Sequence, residues 1–222
     1  MTMFKTTTPV LCLALLSACA GSEDSPVPPV GAYRAEIAAD LGLTDSMPPE
    51  QVAALAREWV YTKNHPLPDT PATLGRPGVD LYRALREGQE RHWCMGMAHV
   101  LAWMLEELGI PARQVALATP AFFAGAKFET HDTVEVFVGR WVVHDPSFNV
   151  TYQCAGGDDA GITDLFQCQD AVTWRYGKVV YAERTLEAYP VPFKDHLYGY
   201  HFFASKLNQD AIDDYPFTGW YR

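Results

Sequence analysis

The stretch RHWCMGMAHVLAWMLEELGIPARQV, residues 91–115, decides how this chain is read. Met97, Leu101, Met104, Leu105 and Leu108 recur at intervals of three and four, the spacing of a helix with one apolar face. Gly109 supplies a left-handed cap and Pro111 prevents continuation, so a helix is expected from about 94 to 108. RQVALATP, 113–120, then reads as a strand. Cys94 falls in the first turn, on the apolar stripe. A thiol in that position feels two opposed effects: apolar burial disfavours the thiolate, and the positive end of the helix dipole favours it. A neighbouring imidazolium settles such a contest. Core filling and nucleophile are therefore separated by one question, whether the fold brings up a histidine.

The chain has seven histidines. His99 lies five residues beyond Cys94, about 140° around a helix, and faces away. His92 is adjacent but has no evident orienting acid. HDTVEVFV and WVVHD, around Gly139, read as two strands of a hairpin carrying His131, His144 and Asp145. Side chains alternate along a strand, so the loop length decides which groups share a face. A three-residue loop, Val138-Gly139-Arg140, pairs Phe137 with Trp141, sets Asp145 opposite Thr133 and makes His131 its diagonal neighbour. A two-residue loop puts His131 and Asp145 on opposite faces and leaves His144 as the competitor.

The rest of the chain frames this core. MTMFKTTTPVLCLALLSAC has an early Lys5, a short apolar run and small residues, as a secretory signal does. Its end, Leu16-Ser17-Ala18-Cys19, resembles the bacterial lipobox, which implies cleavage before Cys19 and lipid on its thiol. The division expected is a signal over 1–18, a Ser/Pro-rich tether over 19–30 and one domain over 31–222. Such a lipoprotein belongs to the cell envelope, and Ala20 favours the periplasmic face of the outer membrane over the inner membrane. The net charge of −10 leaves no basic footprint for nucleic acid.

Of five cysteines, Cys12 leaves with the signal and Cys19 takes lipid. Cys154 and Cys168 flank a turn-rich segment that a disulfide could close, leaving Cys94 as the odd thiol. The alternative pairs Cys94 with one of them. Elsewhere, helices are expected over 31–43, over the stretch with Val52, Leu55, Ala56 and Trp59 on one face, and from Asp80. Asp45 or Ser46 is the expected cap of the second. Residues 65–79 read as loop and KVVYAE, 178–183, as a strand. Helices first and strands later give an α+β domain with the sheet packed on the cysteine helix. Asp158, Asp159 and Asp164 lack a recognised calcium-loop pattern and read as a solvated acidic loop, so no metal or cofactor is expected.

Two blocks, HWCMGMAHVLAWMLEELGIPARQV and HDTVEVFVGRWVVHDPSFN, resemble the cysteine helix and the histidine strand of the transglutaminase-like superfamily, over about residues 80–149. The resemblance implies a papain-like cysteine proteinase fold: N-terminal helices, with the cysteine helix packed on an antiparallel sheet. It implies Cys94 as nucleophile, His131 as base and Asp145 as orienting acid. Gln89 and Trp93 are candidate second oxyanion donors by proximity to Cys94. The expected function is a membrane-tethered thiol-dependent amide hydrolase or acyltransferase acting on peptide or peptidoglycan-like amides. The alternative is a catalytically silent envelope binding module on the same fold.

Overall fold

A computed structural model describes residues 29–64, 76–126 and 129–203. The signal-like segment, Cys19, most of the tether, residues 65–75 and the aromatic residues Trp220 and Tyr221 lie outside the described residues.

Four helices come first. They are α1 (Arg34–Leu41), α2 (Pro49–Lys63), α3 (Gly78–Arg86) and α4 (Cys94–Glu107). Helix α1 ends at Gly42, whose left-handed φ of 63° lets its N–H turn back to the last carbonyls. The N-terminus of α2 differs from expectation. Pro48 is its N-cap and no side chain caps it, so neither Asp45 nor Ser46 has that role. Proline at N1 removes a donor that would otherwise need satisfying. The buried face of α2 is Val52, Ala53, Ala56 and Val60, rotated from the expected stripe, with Leu55 and Trp59 at its margin. Helix α3 opens at Gly78, two residues ahead of Asp80, because Pro77 holds the extended conformation of an N-cap.

The sheet has six strands in the order β5-β4-β3-β2-β1-β6, all neighbours antiparallel. In chain order these are β1 (Ala112–Ala118), β2 (Thr130–Phe137), β3 (Trp141–Asp145), β4 (Val150–Gln153), β5 (Thr173–Tyr176) and β6 (Gly199–Phe202). Three short helices lie between strands: α5 (Pro120–Phe123), α6 (Ile162–Cys168) and α7 (Phe193–His196).

Two apolar cores follow from the alternation of the strands. On one face Ala112, Val134 and Val136 pack with Met97, Leu101, Met104 and Leu105 of α4, and with Val52 and Val60 of α2. On the other, Val115, Leu117, Val143, Val150 and Tyr152 pack with Ile162, Leu165, Phe193 and Phe202. Each fully buried aliphatic side chain of this kind stabilises the fold by roughly 1.5–3 kcal/mol. Between β1 and β2, Arg113 donates to Glu135 Oε2 through Nε at 2.8 Å and Nη2 at 2.6 Å, with both side chains about 2% exposed.

The strand expected over 178–183 is not formed. The strand lies earlier, at β5, and residues 182–184 form a 3-10 turn. The cause is competition for backbone donors. Lys178 and Val179 N–H groups donate to Glu58 Oε2, and Tyr181 N–H donates to Tyr61 Oη. Helix α2 thus takes the donors that a sheet ladder would need. Cys154 and Cys168 form a disulfide with Cα atoms 5.9 Å apart, and Cys94 is a free thiol.

Candidate active site

Cys94 is the first residue of α4, half-buried, with Trp93 at the N-cap in an extended conformation. The first backbone N–H groups of a helix have no partner within it, so they and the dipole favour negative charge here. Gln114 on β1 ties this turn to the sheet: its Nε2 donates to Asp132 Oδ1 at 2.8 Å and reaches the Met95 carbonyl at 3.4 Å.

The hairpin β2–β3 supplies the next two groups. Phe137 pairs with Trp141, Val136 with Val142, Glu135 with Val143 and Val134 with His144. The loop is therefore Val138-Gly139-Arg140. Val138 N–H donates to the Arg140 carbonyl at 2.9 Å across Gly139, whose φ is 86°. A side chain at that φ is strained, which is why glycine occupies the turn. Extending the register by one residue sets Asp145 opposite Thr133, on the face that carries His131. His131 Nε2 donates to Asp145 Oδ2 at 2.7 Å. Cys94 lies near the same imidazole and adds to the effects that raise it. Since Nε2 is committed to Asp145, Nδ1 is the nitrogen left for the thiol.

Asp145 is fully buried, and three donors meet its carboxylate. His131 and Tyr152 Oη reach Oδ2, each at 2.7 Å, and Ser147 N–H reaches Oδ1 at 2.8 Å. Burial pushes the Tyr152 phenol well up, with the adjacent Asp145 charge adding to it, so Tyr152 remains a donor. Burial alone would lower His131. The charge of Asp145 and its hydrogen bond, helped by Cys94, outweigh that and hold the imidazole well above its ordinary range. Aromatic groups roof the ring: Phe148 at 5.3 Å, Tyr189 at 6.1 Å, Phe193 edge-on at 6.3 Å and His196 at 5.9 Å between centroids. Burial, with the nearby His131 charge, lowers His196 to about 4, so it stays neutral near neutrality.

Other histidines are spoken for. His144 points to the opposite face of β3, where its Nδ1 meets Arg57 Nη1 at 3.2 Å. Burial and the positive charge of Arg57 push it well down. His92 is buried under the Leu81 carbonyl, and burial lowers His99. Gln89 is on the exposed turn after α3 with its amide directed to Glu87 Oε2 at 2.6 Å, not to Cys94. Trp93 is 59% exposed beside Cys94. Asp159 bonds Arg175, Thr151 and Gln153, and Asp164 accepts the Gly161 N–H. Among the described residues no group of three His, Cys, Asp or Glu is disposed to hold a metal ion.

A model of the transglutaminase-like superfamily matches residues 36–146, half of the chain, and the protein belongs to that superfamily. The match contains Cys94, His131 and Asp145. A crystal structure of a protein from Cytophaga hutchinsonii, provisionally designated a cysteine protease, is similar at 16% identity with a TM-score of 0.39. That likeness covers 51% of this chain and 36% of the other, so it spans about a third of that protein's length. No curated protein matches the chain.

Proposed function

We propose that the protein is a thiol-dependent amide hydrolase or acyltransferase working through Cys94, His131 and Asp145. The observation that carries this reading is the 2.7 Å bond from His131 to Asp145, set by the three-residue hairpin loop, with Cys94 close enough to the same imidazole to act on its charge. The Cys94 sulfur attacks an amide carbonyl and its proton resides on His131. The backbone N–H of Cys94, in the open first turn of α4, donates to the oxyanion. His131 then protonates the departing amine as the C–N bond breaks, and a thioester remains on Cys94. Water or a second amine, deprotonated by His131, attacks the thioester and frees the thiol. Asp145 holds Nε2–H throughout and stabilises the imidazolium.

The substrate class proposed is peptide or peptidoglycan-like amide, presented at the periplasmic face of the outer membrane by a lipid on Cys19. The lipobox-like Leu16-Ser17-Ala18-Cys19 supports the anchor. Replacing Cys19 with serine should move the protein from the membrane to the soluble fraction, and retention on the membrane removes this part of the proposal.

The chemical proposal is tested by iodoacetamide at pH 6. Alkylation of Cys94 should be fast, and His131→Ala should slow it by about a hundredfold, the lower end of what a positioned base supplies. Equal rates in the two proteins would refute the triad. Rapid alkylation without thioester formation on any peptide or ester probe would support the silent binding module.

A further inference from the structure

A cavity of about 470 Å³ lies on the other side of the hairpin from Cys94, between α2 and strands β3 to β5. That volume suits a small organic molecule. Arg57, His144, Thr151 and Arg175 line it, and none of Cys94, His131 and Asp145 does. His144 and Asp145 are consecutive on β3, so their side chains take opposite faces.

Arg57 is 5% exposed, yet among the described residues no carboxylate lies within ion-pair distance of it, and Asp159 and Asp145 act on it only through space. Its Nε donates to Asn149 Oδ1 at 2.9 Å, and Nη1 meets His144 Nδ1 at 3.2 Å. Both acceptors are neutral, since His144 is held deprotonated. Nη2 makes no hydrogen bond within the described residues. The contrast is Arg113, equally buried and answered by Glu135 at 2.6 Å. Burial lowers Arg57 to about 10, so it is still a cation at neutral pH. A buried cation whose carboxylates act only from beyond ion-pair distance is poorly compensated, and an anionic ligand group would relieve that cost. At the exposed rim the imbalance has the other sign. Arg175 holds Asp159 at 2.5 Å and Arg140 lies 3.9 Å from Asp164, whereas Glu50 and Asp158 are exposed lining residues with no ion pair among the described residues. A phosphate or other dianion would answer Arg57 but meet those two carboxylates.

We propose that this cavity binds a small zwitterion, an amino acid or short peptide, with its carboxylate on Arg57 and its ammonium group facing Glu50 and Asp158. Arg57 makes the stronger contact, because a charge-assisted bond to a planar guanidinium in a sheltered site outweighs a rim pair.

Titration calorimetry with alanylalanine on the full-length protein tests this, with N-acetyl-alanylalanine, alanylalanine amide and inorganic phosphate as comparisons. The dipeptide should bind, and either blocked form should bind more weakly. Arg57→Gln should weaken binding at least tenfold, the scale of one lost charge-assisted bond. Arg57 is buried, so folding of that variant is checked by circular dichroism. The double variant Glu50→Gln with Asp158→Asn changes exposed residues only and should weaken binding about threefold to fivefold. Cys94→Ala should leave the dipeptide affinity unchanged whether or not Cys94 is a nucleophile. Tighter binding of phosphate than of the dipeptide, full affinity in the rim double variant, or loss of binding in Cys94→Ala would each overturn the proposal.

Discussion

Deleting the Tyr152 hydroxyl isolates one bond of the Asp145 cradle. Tyr152 is fully buried, and its ring stacks on Phe193 with centroids 3.8 Å apart. Tyr152→Phe keeps that stack and removes one oxygen, the donor 2.7 Å from Asp145 Oδ2. The carboxylate keeps His131 and the Ser147 N–H, so no charge is left bare. The loss is a single hydrogen bond to a charged acceptor, about 1.5–3 kcal/mol. In a domain of this size about 1 kcal/mol corresponds to 2–4 °C, so Tm should fall by roughly 3–12 °C. Thermal unfolding followed by circular dichroism at pH 7 measures it, and a urea titration should show a lower midpoint at unchanged slope. A Tm within about 1 °C of the parent would refute the claim that this hydroxyl supports the buried carboxylate.

Three further outcomes are expected. Glu135→Gln removes the carboxylate that faces the buried Arg113 charge and a charged acceptor from Ile162 N–H, so urea unfolding should register about 3–5 kcal/mol of lost stability. Replacing Cys154 and Cys168 by serine opens a loop worth roughly 3 kcal/mol in the chain-entropy model, read from the shift in the urea midpoint. Stability should peak near the ordinary histidine pKa of about 6.5. The raised His131 contributes fully below that value, and its contribution is lost as pH rises through the folded pKa. His196, lowered to about 4, acts in the opposite sense: its contribution is complete above about 6.5 and falls as pH drops toward 4. His92, His99 and His144 are lowered too and add to the acid-side loss. Unfolding free energies measured from pH 4 to 9 should trace this maximum, and a curve rising steadily above 6.5 would contradict the charged state of His131.

The cysteine helix and the hairpin were legible in the sequence because each rests on local rules. Helical spacing with a Gly109 stop defines α4, and a glycine turn between alternating β-rich runs defines the β2–β3 register. That register carried the His131–Asp145 geometry with it. Tyr152 beside Asp145, and Tyr189, Phe193 and His196 over His131, were not legible in the sequence. They lie 21 to 65 residues further along the chain, in segments whose aromatic residues have no clear period. Only long-range packing assembles them. The misplaced 178–183 strand has a related cause. Val179, Val180 and Tyr181 have strand-forming side chains, but Glu58 and Tyr61 of α2 claim backbone donors there. A propensity counts side chains and is blind to that competition. Gln89 is close to Cys94 in sequence, but the direction of its amide is set by Glu87.

The connection between β5 and β6 joins the two outer edges of the sheet. On its way it lays Tyr189, Phe193 and His196 over His131, and it is fastened where Arg184 donates to the Tyr61 and Ser147 carbonyls. During synthesis, Cys94, His131 and Asp145 emerge well before that cover. The dry surroundings that strengthen the attraction of the imidazole to Asp145 are completed by residues 189–196, which follow all three groups in the chain. The electrostatics of the site thus depend on a segment far along the chain, and a fragment stopping before residue 189 holds all three groups without that cover.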